Sequence, residues 1–478
     1  MDVHPFLVPS LPQTRGNTLR QAYEKLEGML HERRHAAALP IANACAPAAR
    51  SPLAQSECLP HEYDALLNLA TGKQAQPLLP SRIPIASLFY QGIPLAESLD
   101  CLFHDCLGGY SSAHLDLVVS DAHGERHWGG VYRINPASYT LTSLDIAAHF
   151  MDMIDTWLTN ASKAALIDRP CETCSPPPVC GSVASMALAC RAAFRKIGNR
   201  RRLQSFPRWI LNYTFSATLL EAAGRPDDLR RLPPPSDRFW ADPFPIEHKE
   251  RHYVFFEECL KSTGKGRICV AEIHEAGLGT PTVALQEPHH LSYPFLWQEA
   301  DTLYMLPESS EVRQIVLYRC RAFPHAWEKE RVLLEGIAAK DPTLVRHEGL
   351  LWLFFMVPSP NKADQLYVYY ADSLQGPWRE HKRNPVLVDC ERARPGGHFF
   401  RQGNSLFRVS QDCSSSYGQA VVICRVDELT PERYKETIVC KASHQNSKEY
   451  AGFHTLNAAG KLVVADTLLR QGKGATAS

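Results

Sequence analysis

The sequence predicts a mainly β protein: a five-bladed β-propeller over residues 209–478, preceded by a smaller α+β N-terminal region. Three observations carry this expectation. One pattern recurs five times after Trp240: a short signature, an apolar run, a turn and a second strand-like run. The copies begin WADPFPIEHKERHYVFFEE, LSYPFLWQEADTLYMLPES, KDPTLVRHEGLLWLFF, ARPGGHFFRQGNSLFRVSQD and GFHTLNAAGKLVVADT. Their opening residues, Asp242, Tyr293, Asp341, Arg394 and His454, lie 51, 48, 53 and 60 residues apart. A period of about 50 residues with several strands per unit marks a propeller blade, which needs its neighbours to bury both faces. Second, each copy has a polar turn (HKER, QEAD, RHEG, RQGN, AAGK) between runs rich in aromatic and branched residues. Third, the last copy holds only two strands, and WILNYTF at 209–215 supplies a partner that would close the ring and remove its open edge.

Taken from the N-terminus, residues 17–39 read as a helix capped by Asn17, with Leu19, Tyr23, Leu26 and Leu30 on one face. A Pro- and Ala-rich stretch follows to residue 84, with a short helix near 63–69. The runs HLDLVVS and RHWGGVYRI around DAHGE predict a hairpin. A helix is expected over 143–163, burying Ala147, Phe150, Ile154, Trp157 and Leu158. Residues 1–166 thus form the N-terminal region, and 167–208 a linker and basic helix. In the linker, Cys171, Cys174 and Cys180 have only part of a zinc spacing, so incidental thiols are the preferred reading. The basic helix carries Arg191, Arg195, Lys196, Arg200, Arg201 and Arg202. It is a solvated face first, and a contact for anionic lipid second. His123 and His127 sit in and after the hairpin turn and lack a third ligand; His289 and His290 precede the second signature.

The 51 basic and 51 acidic residues cancel, so no global field draws nucleic acid. Fifteen cysteines are scattered through strands, as at Cys269, Cys320 and Cys424, and behave as small buried hydrophobes. The N-terminus shows no basic n-region or apolar core, and no run approaches 18 apolar residues. Cytoplasmic location with reduced thiols is the expectation.

In a propeller the first strand of each blade lines the central channel, so the five signature residues converge on one axial pocket. Two acids, a guanidinium, an imidazole and a phenol suit a functional pocket better than a packed channel, because unpaired buried charge costs several kcal/mol. Proline after Asp242 and Asp341 is expected to hold both aspartates extended. Carboxylates also end the second strands: Glu257, Glu258, Glu308, Asp412 and Asp466. Aromatic residues beside the signatures, such as Trp240, Phe244, Phe295, Phe399 and Phe453, suit either a sugar face or the core.

At these residues the propeller resembles the N-terminal domain of the plant glucosamine inositolphosphorylceramide transferases. The resemblance rests on FWADPFPI, YVFFEE, LSYPFLW, LYMLPESS, DPTLV, YYADSLQGPWREHKRNPV, ARPGG, SQDCSSSYG, LTPERY and GFHT, in order over about 265 residues from Trp209. In those enzymes glycosyl transfer belongs to a separate C-terminal unit. The resemblance therefore implies the fold and a link to glycan or glycolipid synthesis, without the transferase activity. More distantly the domain is similar to the five-bladed glycoside hydrolases of families 43 and 32. That likeness implies an Asp base at Asp242 and a tuning Asp at Asp341, but puts Arg394 near the place of the acid, and a guanidinium cannot donate a proton at neutral pH. If the domain is catalytic, Asp242 is the base, Asp341 the orienting anion and Glu308 the candidate acid. Substrate binding is expected from Trp240, Glu258, Tyr293, Arg394, Gln411, Asp412 and His454. No metal or cofactor is expected. The expected ligand is a sugar, sugar phosphate or glycolipid head group, with a glycosyltransferase and a membrane surface as further candidate partners. A non-catalytic scaffold is the alternative.

Overall fold

The computed structural model describes residues 206–358, 364–444, 447 and 449–470, with shorter stretches of the first 205 residues, chiefly 85–91, 110–121, 124–134 and 145–150. The chain divides into two compact units, Met1–Gln204 and Ser205–Ser478. The protein is mainly β.

In the first unit His4–Pro5, Leu66–Asn68 and Ile85–Tyr90 pair in parallel. Ile85–Tyr90 then pairs antiparallel with Ser112–Asp121. The expected hairpin joins Ser112–Asp121 to Gly124–Arg133 through two residues instead of five, because the ladder runs on to Asp121 opposite Gly124. Alternation buries Leu115, Leu117 and Val119 on one face. Residues 145–150 and 153–154 are helical, with Phe150 and Ile154 buried. His127 is exposed on its strand. The helix at 17–39, the cysteines at 171–180, the basic segment 191–202 and His123 lie outside the described residues. No described helix is long and apolar enough to cross a membrane.

Among its described residues the second unit contains five antiparallel sheets of four or five strands, one per repeat. The first runs outward from Arg238–His248 through Arg251–Leu260 to Gly266–His274. The second contains Ser292–Glu299, Thr302–Glu308, Gln314–Ala322 and Ala326–Glu335. Lys340–His347, Leu350–Pro358 and Asp364–Ala371 build the third. In the fourth, Arg394–Pro395 and Phe400–Gln402 both pair with Ser405–Asp412, followed by Ala420–Leu429 and Tyr434–Ala442. The fifth sheet is composite: Leu462–Leu469 pairs with Leu456–Ala459 on one side and Trp209–Thr214 on the other. Two distant segments thus share one sheet, as the missing strands of the last repeat require.

Polar contacts join the five sheets in cyclic order. Tyr293 N donates to Asp242 Oδ2 at 3.3 Å, Lys340 Nζ to Glu308 Oε1 at 2.6 Å, and Arg394 Nε to Asp341 Oδ2 at 2.6 Å. Leu456 N donates to Gly396 O at 3.0 Å, and Asp242 N to Asp466 Oδ2 at 2.8 Å. Next to this polar layer the inner strands meet in an aromatic plug. Phe244 packs edge-on against Tyr293, Phe295 and His398. All three carbocyclic rings are fully buried, so they are core and not a sugar platform.

Candidate functional site

Asp242, Tyr293 and Asp341 occupy the same place in three successive sheets. Each precedes a proline, and their φ angles are 52°, 46° and 54°. The expectation that proline holds the aspartates extended is corrected by these left-handed values. The ladder register slips at each point, between Phe255 and Glu257, Ser292 and Phe295, and Lys340 and Thr343. Each residue therefore sits in a bulge, where the following proline forfeits no ladder hydrogen bond. At Asp242 and Tyr293 the bulge turns the backbone N–H toward a carboxylate of the preceding sheet. A left-handed non-glycine costs about 1–3 kcal/mol, and those cross-sheet bonds hold the first two.

One half of the site is a buried Asp–His–Asp group. Asp466 Oδ1 accepts from His454 Nδ1 at 2.7 Å, and from the backbone N–H groups of His454 and Thr455. His454 Nε2 lies 3.6 Å from Asp242 Oδ1, which accepts from Thr455 Oγ1 at 2.8 Å. The imidazole stacks on Trp209 at 4.0 Å between centroids. Burial opposes a charged imidazole, but the Asp466 carboxylate outweighs it and raises the His454 pKa. Burial raises that of Asp242, against the pull of His454.

The other half is built on Asp341. Its Oδ2 accepts from Arg394 Nε at 2.6 Å and from Gln411 Nε2 at 2.8 Å. Burial pushes the Asp341 carboxyl up to about 7, although Arg394 pulls it down. An Nη of Arg394 also lies 3.7 Å from Glu308 Oε2. The guanidinium stacks over the ring of Tyr417, 4.7 Å from its centroid. Tyr417 is 44% exposed and meets His454 edge-on, so it stands over both halves at the solvent edge.

Asp242, Asp341, Arg394 and His454 therefore converge as the sequence predicts, and Gln411 joins them. The other candidates are placed differently. Tyr293 is fully buried, its hydroxyl shared with Thr343 and Gly397 O, so it plugs the channel. Glu308 is paired with Lys340: burial would favour its protonated form, but Lys340 and Arg394 outweigh that and hold it below the ordinary range, the opposite of what the expected acid role requires. Glu258 and Trp240 point away from the layer. They bond each other at 3.0 Å, and Arg238 and Arg267 neutralise Glu258. Period-2 alternation gives the reason: Glu257, one residue earlier, takes the inner face. The same parity separates Gln411, opposite Arg394, from Asp412, which turns outward to Lys441 and Ser414 N.

Sequence reasoning named Glu257 and Asp466 only among the strand-end carboxylates, and missed Tyr417, Thr455 and Lys340 as members of the site. Four of the five sheets contribute a polar residue at the end of the second strand: Glu257, Glu308, Gln411 and Asp466. That signal is legible once the register is known. Asp242, His454 and Asp466 also bring one ligand atom each within 4.8 Å of one another. Three N–H donors already fill one oxygen of Asp466, which favours a hydrogen-bonded relay over a metal centre.

Comparisons with known proteins fall on this unit. Residues 231–462 match the family model "Glucosamine inositolphosphorylceramide transferase 1, N-terminal". Glucosamine inositolphosphorylceramide transferase 1 of Oryza sativa subsp. japonica is 39% identical over 211 residues, 42% of this chain and 28% of that protein. The Arabidopsis thaliana protein of that name is 36% identical over 227 residues, 45% of this chain and 29% of that one. This chain thus spans less than a third of the length of the curated relatives it matches. Among solved structures, Zg3597, a family 117 glycoside hydrolase of Zobellia galactanivorans, aligns with a TM-score of 0.35 at 11% identity. That alignment covers 55% of this chain and 90% of the other. An exo-β-1,3-galactanase of Phanerochaete chrysosporium gives 0.33 at 15% identity, over 44% and 57%. The resemblance read from the signatures is thereby shown: residues 231–462 are related to the N-terminal domain of the glucosamine inositolphosphorylceramide transferases.

Proposed function

We propose that the second unit binds a sugar, sugar phosphate or glycolipid head group through its buried polar layer, in polysaccharide or glycolipid synthesis. The observation that carries this is the convergence of Asp242, Asp341, Glu257 and Glu308 with Arg394 below the exposed ring of Tyr417. Carboxylates accept hydroxyl hydrogen bonds, and an aromatic ring backed by a guanidinium offers its other face to the apolar side of a sugar ring. Gln411 adds an unused acceptor: its Oε1 is buried with no partner, while its amide nitrogen is fixed on Asp341 and Pro395 O. Such a group is costly unless something binds it. Arg394 already faces Asp341, so the layer favours hydroxyls over a phosphate.

Relation to a domain of glycolipid head-group transferases supports the same reading. Membrane-surface contact by the basic segment and a glycosyltransferase partner belong to this proposal, as does a cytoplasmic setting. Calorimetry against a panel of nucleotide sugars, inositol phosphates and neutral glycosides tests it. Saturable binding of one member is expected, weakened about tenfold in Gln411→Leu and in Tyr417→Ala. No saturable binding across the panel overturns it.

A further inference from the structure

Glu257 is the inner-face carboxyl of the first sheet, 6% exposed, and pairs with Ala241 at the edge of the bulge that holds Asp242. His290, from the loop before the second sheet, places Nε2 3.4 Å from Glu257 Oε1. The other imidazole nitrogen, Nδ1, accepts from Gly266 N at 2.9 Å. An acceptor nitrogen carries no proton, so the neutral ring holds its hydrogen on Nε2, facing Glu257. One oxygen of Glu257 is thus oriented by His290.

The surroundings of that carboxyl are anionic. Asp242 comes from its own sheet, Glu308 from the second, Asp341 from the third and Asp466 from the fifth, and the Cys259 thiol on its own strand is kept neutral by burial. The cations of the layer are engaged elsewhere: Lys340 on Glu308, Arg394 on Asp341, and His454 on Asp466. Burial drives Glu257 well above the ordinary carboxylate range, and the four neighbouring acids push the same way. Burial also holds His290 neutral, lowering its pKa.

The geometry points to Glu257 as the hydrogen-bond donor of the site, a carboxylic acid whose O–H engages an oxygen of the bound ligand. The ligand half of this assignment rests on the carbohydrate reading above; the state of the side chain does not. The layer is otherwise rich in acceptors, and a ligand ether or carbonyl oxygen needs a donor, which separates glycosides from ligands that only donate.

Two measurements on the full-length protein keep these apart. Infrared difference spectroscopy at pH 7 should show a protonated-carboxyl C=O stretch that is diminished in Glu257→Gln, leaving the share of Asp341, and unchanged in Asp412→Asn. An identical band in wild type and Glu257→Gln overturns the assignment. The second uses whichever glycoside or nucleotide sugar of the panel binds the wild type. Glu257→Gln, which keeps an N–H donor, should bind it within about threefold, whereas Glu257→Leu should lose about tenfold or more. Wild-type affinity should fall as pH rises and titrates the acid, and the Gln variant should show a weaker dependence, with Asp341 still titrating. Equal binding by Gln and Leu variants overturns the donor role. If no panel member binds, the carbohydrate reading and the ligand half fail together, and the infrared result still decides whether Glu257 carries the proton.

Discussion

Asp341 shows how one residue can be both expected and misjudged. Its convergence with Arg394 follows from the repeat, but its carboxyl is raised to about 7 by burial in spite of the guanidinium. An unfolded aspartate releases its proton near pH 4, so between about pH 4 and 7 the folded state binds a proton that the unfolded chain has lost. Stability should therefore fall as pH rises through that window, by up to about 1.4 kcal/mol per unit. Urea titrations at pH 5 and pH 7 should show the loss, and Asp341→Asn should flatten it. A slope of opposite sign would mean that the Arg394 ion pair, not burial, governs this group. Tyr417 is the other informative residue. Its ring is exposed and bears on Arg394 and His454, so Tyr417→Phe should preserve ligand affinity where Tyr417→Ala loses it.

At the scale of elements, the bulges and the close approach of strand ends and loops around them set the site. Gly266 shows how close. A β-carbon there would stand 2.5 Å from Leu291 O and 2.6 Å from Glu257 Oε1. Gly418 combines a φ of 59° with a β-carbon position 2.6 Å from His454 Cβ. Gly266→Ala should cost about 1–3 kcal/mol in denaturant unfolding, because backbone and a buried carboxylate must both shift. Gly418→Ala should cost at least as much, with left-handed strain added to the clash. Unchanged midpoints in both variants would show that the backbone around the site has slack.

At the largest scale, contact between the fifth sheet and the first depends on buried polar pairs. Asp466 binds the fifth sheet to the first, accepting Asp242 N while it holds His454 and Thr455. Asp466→Ala should destabilise by about 3–5 kcal/mol, since several buried donors, the His454 imidazole among them, lose their partner. Away from the site, Glu436 accepts both Arg408 Nε and Nη2 within the fourth sheet. Burial disfavours its charge, yet Arg408 and Arg392 hold it at about 2. Its contribution is present above the ordinary glutamate range and is lost as pH falls toward 2. Acid unfolding of Glu436→Gln should accordingly begin from a lower stability and show a shallower dependence on pH in that range.

The sequence by itself determined the repeat, the mainly β character, the pairing of residues 209–214 with the last copy, and which five residues open the copies. Those features are local and periodic, so composition and spacing reveal them. Parity was not legible. Glu257 and Glu258 are adjacent identical letters, as Gln411 and Asp412 are adjacent polar ones, and only the strand register decides which member faces inward. The bulges also depend on tertiary structure, because the left-handed φ at Asp242 is held by a carboxylate 224 residues away. Proton affinities follow the same logic. A carboxyl's proton affinity is set by burial and by neighbours from other sheets, which is why Lys340 and Arg394 lower that of Glu308, expected as the acid, while burial raises that of Glu257.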